Sequence, residues 1–262
     1  MKQRVITAVI AAALFIPIVF YGGISFTVLV YFLAYVGLYE LIHMKKLPIF
    51  FIPTILTVVL LSLILVPSSS AFLFDTIGLS KLELTFVIVM LLLSYTVLSK
   101  NTFTFDDAAF LLFATLYIGM GFYYFHQTRI DGLRYLFYTL FVIWATDSGA
   151  YFIGRAFGKH KLWPDISPNK TVEGAIGGIF CAVIVGLVYN VFQQVNEHVI
   201  YLIAVTVLVS IFGQIGDLVE SAFKRHYGVK DSGYILPGHG GILDRLDSLL
   251  FVLPLLHFLH FV

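Results

Sequence analysis

The sequence predicts an all-α, polytopic membrane protein with about nine transmembrane helices and a cytoplasmic N-terminus. Three observations predict it. Of 262 residues, 60% are hydrophobic and only 12% charged, against roughly 25% charged in a soluble domain. The mean hydropathy is +0.96, more apolar surface than a soluble core of this size can hide, so lipid is part of the solvent. Finally, the basic residues fall unevenly on alternate sides of the apolar runs, which is the pattern that orients membrane proteins.

The apolar runs, in order, are 5–20, 24–42, 49–66, 82–99, 108–125, 133–153, 172–191, 198–220 and 242–261. Each approaches the roughly 20 residues that cross a hydrocarbon core. The first follows Lys2 and Arg4, as a signal peptide would. It lacks a small-residue cleavage site, however, and the next run begins at Ile24, so it reads as a retained span. Tyr21-Gly22-Gly23 is a minimal turn between them. With the N-terminus inside, Lys2, Arg4, Lys45, Lys46, Lys100, Arg155, Lys159, Lys161, Lys170, Lys224, Arg225 and Lys230 share one side. Only Lys81, Arg129 and Arg134 fall on the other. This bias implies an odd number of spans. It also places both long polar loops, 154–171 and 221–241, in the cytoplasm.

Several function classes are excluded. A net charge of +1 gives no general basic character for nucleic acid. The single cysteine, Cys181, excludes an intrachain disulfide and a cysteine-based metal site, and reads as small helix filler. There is no P-loop, no dinucleotide fingerprint, no nucleophile elbow and no histidine pair at zinc-like spacing. Inverted repeats of the transporter kind are absent too. Any phosphate chemistry must therefore use acids, a metal and basic side chains directly.

The polar residues concentrate from Trp144 onward. In the eighth run Ser210, Gln214, Asp217, Ser221 and Lys224 recur at helical spacing, on one narrow stripe. A carboxylate facing lipid costs about 3 kcal/mol even on insertion scales, so the stripe should face protein or a wet cavity. Helix–helix glue explains a lone Ser or Gln; it explains Asp217 less well, because Asp244 and Asp247 follow at i, i+3 on one helix face. Close carboxylates repel unless a cation lies between them. Arg245 is adjacent in sequence but points elsewhere. Oxygen-only ligands suit Mg²⁺, which takes one or two carboxylates and keeps waters for substrate phosphates. Capping and dipole complementarity would account for Asp244 alone.

Before the last run, Pro237-Gly238-His239-Gly240-Gly241 places three glycines in five positions. Glycine lets backbone N–H groups approach a ligand, and a helix N-terminus follows, which favours anions. Lys224, Arg225 and Lys230 lie on the same side as phosphate partners, or simply as headgroup contacts. His239 suits a phosphate donor or a turn equally. Upstream, Ser167-Pro168-Asn169-Lys170-Thr171 reads as a loop feeding a capped helix with Glu173 in its first turn, where Lys170 could simply snorkel. Gly174, Gly177 and Gly178 should let that helix pack closely on a neighbour. Asp147 lies deep in the sixth run, as a further metal ligand, a nucleotide contact or the partner of Lys170 or Arg155.

The stretch from Ser221 to Asp247 closely resembles the signature of the phosphatidate cytidylyltransferases, or CDP-diacylglycerol synthases: S-x-x-K-R, then K-D, then P-G-H-G-G-x-x-D-R-x-D, with every fixed position matched. Asp147-Ser148-Gly149-Ala150-Tyr151, Ser167 to Gly174 and Gly213 to Asp217 look like further blocks of that family, so the resemblance covers roughly the last 120 residues. The chain reads as one integral membrane domain, with N-terminal helices over 1–132 and a catalytic region over 133–262, and the resemblance lies in the second of these. The resemblance implies transfer of the cytidylyl group of CTP to phosphatidate, giving CDP-diacylglycerol and pyrophosphate, at the cytoplasmic face of the plasma membrane. On that reading Asp217, Asp244 and Asp247, with Asp147, are the candidate metal ligands, and Lys224 and Arg225 join the first three as catalytic residues. Lys170, Lys230, His239, Gly240, Gly241, Arg245, Ser167 and Asn169 are the candidate substrate contacts. The implied cofactor is Mg²⁺, with room for a monovalent cation. The implied partners are CTP, phosphatidate, membrane lipid and a second copy of the chain.

Two other readings compete. A CTP-dependent lipid kinase would pass the γ-phosphoryl to an alcohol and would need a base for that neutral hydroxyl. A transporter would use the stripe of the eighth run to line an ion path, against the clustering of polar loops on one side.

Overall fold

The computed structural model describes residues 2–67, 74 and 78–262; the side chains of residues 2–5 and 8, including Lys2 and Arg4, lie outside that description. Nine helices are described: α1 (Lys2–Tyr21), α2 (Gly23–Met44), α3 (Ile52–Leu65), α4 (Lys81–Leu98), α5 (Phe105–Asp131), α6 (Leu133–Phe157), α7 (Val172–Gln193), α8 (Val199–His226) and α9 (Leu243–Phe258). They correspond one for one to the nine apolar runs. Six of them, α2 and α4 to α8, are long and apolar enough to cross a membrane. The chain is therefore a polytopic membrane protein.

Local chemistry sets the helix boundaries. Gly22, with φ +71°, is the one residue between α1 and α2, a backbone state glycine reaches without strain. Gly132 at φ 153° separates α5 from α6 in the same way. Ser80 with Glu83 and Thr104 with Asp107 form reciprocal capping boxes that start α4 and α5. Thr171 starts α7 by accepting from the Gly174 N–H at 3.1 Å.

The helices run up and down. One end of the bundle holds Thr7, whose Oγ1 donates to Pro237 O at 3.0 Å, and the Phe110 ring against Tyr227. The other end holds Thr128 against His257, and Tyr201 donating to Leu259 O. At that second end the three basic residues expected there all sit on helix C-termini. Lys81 Nζ donates to Val66 O at 2.6 Å, Arg129 Nε to Val19 O at 2.6 Å and Arg134 Nη1 to Gln194 O at 3.4 Å. Cations there satisfy orphan carbonyls and complement the helix dipole.

Short α9 is an interior element. Its 16 residues span only about 24 Å, yet Leu250, Val252, Leu253 and Leu256 are buried against α5, α6 and α8. Its polar first turn is thus shielded from lipid by its neighbours.

The tightest contact joins α6 to α7. A Cβ on Gly178 would stand 2.7 Å from Thr146 O, and one on Gly174 2.7 Å from Ala150 O. These obstacles are backbone, so the glycines permit the close approach predicted for them. Cys181 faces Gly149 across the same seam, as filler. Gly178→Ala should therefore cost about 1–3 kcal/mol through overpacking, read as a lower melting temperature in detergent. An unchanged melting temperature would mean that the seam can open.

One element departs from expectation. The loop predicted over 154–171 contains an antiparallel hairpin, β1 (Lys161–Trp163) with β2 (Ser167–Thr171), paired Lys161 to Thr171 and Trp163 to Ser167. Strands this short carry no alternation that a sequence pattern could show.

Candidate active site

The polar stripe of α8 faces inward, and four of its five members meet four different elements, while Ser221 bonds within α8. Ser210 Oγ accepts from Thr146 Oγ1 of α6 at 2.9 Å. Gln214 Nε2 donates to Ala175 O of α7 at 3.3 Å. Asp217 Oδ2 lies 2.5 Å from Lys170 Nζ of β2, and Ser221 Oγ donates to Asp217 Oδ1 at 3.4 Å. Lys224 Nζ reaches Asp244 Oδ1 of α9 at 2.6 Å. So Lys170 does not simply snorkel; its direct partner is Asp217, and Asp147 lies within its electrostatic reach. The hairpin aims it there. Glu173, in the first turn of α7, accepts from the Lys159 and His160 N–H groups at 3.1 and 3.2 Å and lies 2.6 Å from His160 Nδ1, which pins the hairpin to the helix start.

A second knot of charge surrounds the start of α9. Lys224 bridges Asp244 and Glu220, the latter at 2.7 Å, with its side chain only 13% exposed. Asp244 Oδ2 accepts from Ser232 N, Ser232 Oγ and Gly241 N at 2.8–2.9 Å. Both Asp244 oxygens are thus committed. Glu40, on α2 and 1% exposed, accepts from Ile242 N at 2.8 Å, Leu243 N at 2.9 Å and Ser232 Oγ at 3.0 Å. From its sequence, this glycine-preceded helix N-terminus is expected to face an anionic ligand. Instead the protein's own carboxylates take the N–H groups of Gly241, Ile242 and Leu243.

Asp147, Asp217 and Asp247, from α6, α8 and α9, lie within electrostatic reach of one another. Asp247 Oδ1 accepts from Ser248 N at 2.7 Å; Asp147 is exposed on its helix. Among the described residues no three acids, histidines or cysteines are gathered into a ready metal cage. The donor set is nonetheless all oxygen and has an excess of negative charge. That fits an ion such as Mg²⁺, which needs one or two carboxylates and completes its shell with water and substrate phosphate. It fits a dedicated cage poorly.

Toward the loops, Lys230, Asp231, Tyr234, His239, Gly240 and Arg245 line an open hollow of about 660 Å³. Arg245 Nη2 donates to His239 O at 2.6 Å, which holds the glycine-rich turn. His239 Nδ1 is buried with no partner in the structure. Arg225 and Asn169 are exposed, and Ser167 is half-buried in β2.

Four residues of this region escaped the sequence reading. Ser232 and Glu220 lay inside the noticed segments without a role. Tyr117, on α5, has a buried hydroxyl with no partner, within electrostatic reach of Asp247 and Glu220. Glu40 had one visible signal, a lone acid within an apolar run.

A bundle of long apolar helices with an acid-rich, lysine-braced site at one end defines a membrane-embedded enzyme for phosphate substrates. The sequence profile of the cytidylyltransferase family matches residues 2–262, and the chain belongs to that family. It is 54% identical over 262 residues to the phosphatidate cytidylyltransferase of Bacillus subtilis (strain 168), covering 99% of this chain and 97% of that one. It is 52% identical to the phosphatidate cytidylyltransferase of Staphylococcus haemolyticus (strain JCSC1435) and 50% to that of Staphylococcus aureus (strain COL), with 99% of this chain and 98% of each relative covered.

Proposed function

We propose that the chain transfers the cytidylyl group of CTP to phosphatidate, releasing pyrophosphate and leaving CDP-diacylglycerol in the membrane. Full-length similarity of about half identity to relatives named for this reaction carries the reading. A phosphatidate oxygen attacks the α-phosphorus of CTP, and the bond from that phosphorus to pyrophosphate breaks. The attacking group is already an anion, so no protein nucleophile is required. What the chain must do is bring two polyanions together and hold them in line.

Asp217 and Asp247, with Asp147, would hold Mg²⁺, which would supply charge neutralisation at the reacting phosphates. Asp244 joins that set only by releasing Lys224. Lys170 sits beside Asp217 at the membrane end of the hairpin, where it can turn to a phosphate. Lys230 and Arg245, on the wall of the open hollow, are placed for the triphosphate. The site faces the cytoplasm, where nucleotides are, with N-terminus inside and nine spans; its bacterial relatives support a plasma-membrane location.

Purified protein given phosphatidate, Mg²⁺ and CTP labelled at the α or γ position tests this. Label from α should enter lipid, label from γ should leave in pyrophosphate, and EDTA should stop both. Label from γ in lipid would make the chain a kinase. No label in any lipid acceptor would return the transporter reading.

A further inference from the structure

We propose that Glu40 is a positioning residue of the active site: supplied by α2, it caps the N-terminus of α9 from across the chain and so sets Asp244 and Asp247 in place. A helix start leaves its first N–H groups without partners, and Ser, Thr, Asp or Asn usually supplies one. The residue at the cap of α9 is Ile242, which has no acceptor in its side chain. Glu40 fills that role with both oxygens, one on the Ile242 N–H and one on the Leu243 N–H.

The surroundings are shaped for this carboxylate. A Cβ on Gly233 would stand 2.6 Å from Glu40 Oε1, and one on Gly241 would run into both Glu40 and the Ser232 hydroxyl. Gly241 therefore has a reason to be glycine that involves no ligand. Ser232 couples the two carboxylates. Its Oγ lies 3.0 Å from Glu40 Oε2 and 2.9 Å from Asp244 Oδ2, and its single hydroxyl proton can serve only one at a time. Asp244 is one residue beyond the last N–H that Glu40 holds, and Asp247 is one turn further. A misplacement of about 1 Å there costs on the order of 100-fold in rate.

The inference rests on the proposed transfer reaction, and one measurement is independent of it. Amide hydrogen exchange over residues 238–250 is compared in wild type, Glu40→Ala, Glu40→Gln and Ser232→Ala, beside transfer turnover per folded, monodisperse molecule. Glu40→Ala should lose about 100-fold in turnover, but its unpaired N–H groups can prevent folding. Glu40→Gln keeps the shape, and should lose about tenfold with faster exchange confined to the first turn of α9. Ser232→Ala should lose about threefold with the same local signature, and decides the matter if neither Glu40 variant folds. A purely structural role would lower the folded fraction and leave turnover per folded molecule at the wild-type value. Wild-type turnover, with or without faster exchange, overturns the proposal, as does a fall in turnover with unchanged exchange. A wild type without transfer activity would sink the proposed reaction, while the exchange pattern would still report the hold of Glu40 on α9.

Discussion

Asp217→Asn should lower cytidylyl transfer by about 1,000-fold while leaving the protein folded. Asp217 is where the parts of the site meet: it pairs with Lys170, accepts from Ser221, and lies in electrostatic reach of Asp147 and Asp247. The asparagine is nearly isosteric but cannot supply the charge that a cation or a cationic side chain needs there. Losing one preorganised electrostatic group costs about 10²–10³-fold in turnover, and a weakened hold on the proposed Mg²⁺ would add to that. The stability cost is small by comparison. The Lys170 side chain is 26% exposed and can return to water, and part-exposed ion pairs contribute at most about 1 kcal/mol. Turnover at saturating CTP and melting temperature in detergent, measured together, check both halves. A variant within threefold of wild type would move the metal-holding role to Asp147 and Asp247.

The sequence shows helices well where they face lipid. The run at 24–42 becomes Gly23–Met44, and 172–191 becomes Val172–Gln193. It shows them less well where they leave it. The run at 198–220 becomes Val199–His226, because Ser221, Lys224, Arg225 and His226 make the last six residues largely polar while the helix continues into the charged knot beyond the apolar stretch. Hydropathy reports the solvent of a segment, not its hydrogen bonding. The stripe on α8 was legible for a physical reason: a helical repeat of polar residues in an apolar helix has to face other protein. The partner of each member was not legible, since Lys170 and Asp244 come from elements whose placement depends on tertiary packing.

Glu40 shows the limit most plainly. Its contacts are about 200 residues away in sequence, at Ser232, Ile242 and Leu243. Locally it is one acid near the end of an apolar helix, which looks the same as a residue at the headgroups. Likewise, the glycine-rich turn before α9 has the composition of an anion cradle. The N–H groups at the helix start are nevertheless spent on the protein's own acids, and only the fold reveals that competition.

Lys224→Met should destabilise the protein by about 3–5 kcal/mol, the usual cost of removing one partner from a buried charge pair. Among the described residues, Lys224 is the one cation in contact with two nearly buried carboxylates, Glu220 with a side chain 1% exposed and Asp244 with one 7% exposed. Glu220 Oε1 already lacks any hydrogen-bond partner, so its charge depends on this lysine. Asp244 also holds the Ser232 and Gly241 N–H groups, with the Ser232 hydroxyl shared between it and Glu40, and is better supported without the lysine. The damage should therefore fall mainly on Glu220, and Glu220→Gln added to Lys224→Met should recover much of the lost stability. Melting temperatures of the two single variants and the double variant form the cycle. Strict additivity, or a single variant as stable as wild type, would show that the pair is not coupled. Transfer by the rescued double variant then separates two roles for Lys224. If stability returns with activity, the lysine serves to hold α8 to α9. A stable but inactive double variant would mean that the same ammonium must let go of its carboxylates and meet a phosphate during the reaction.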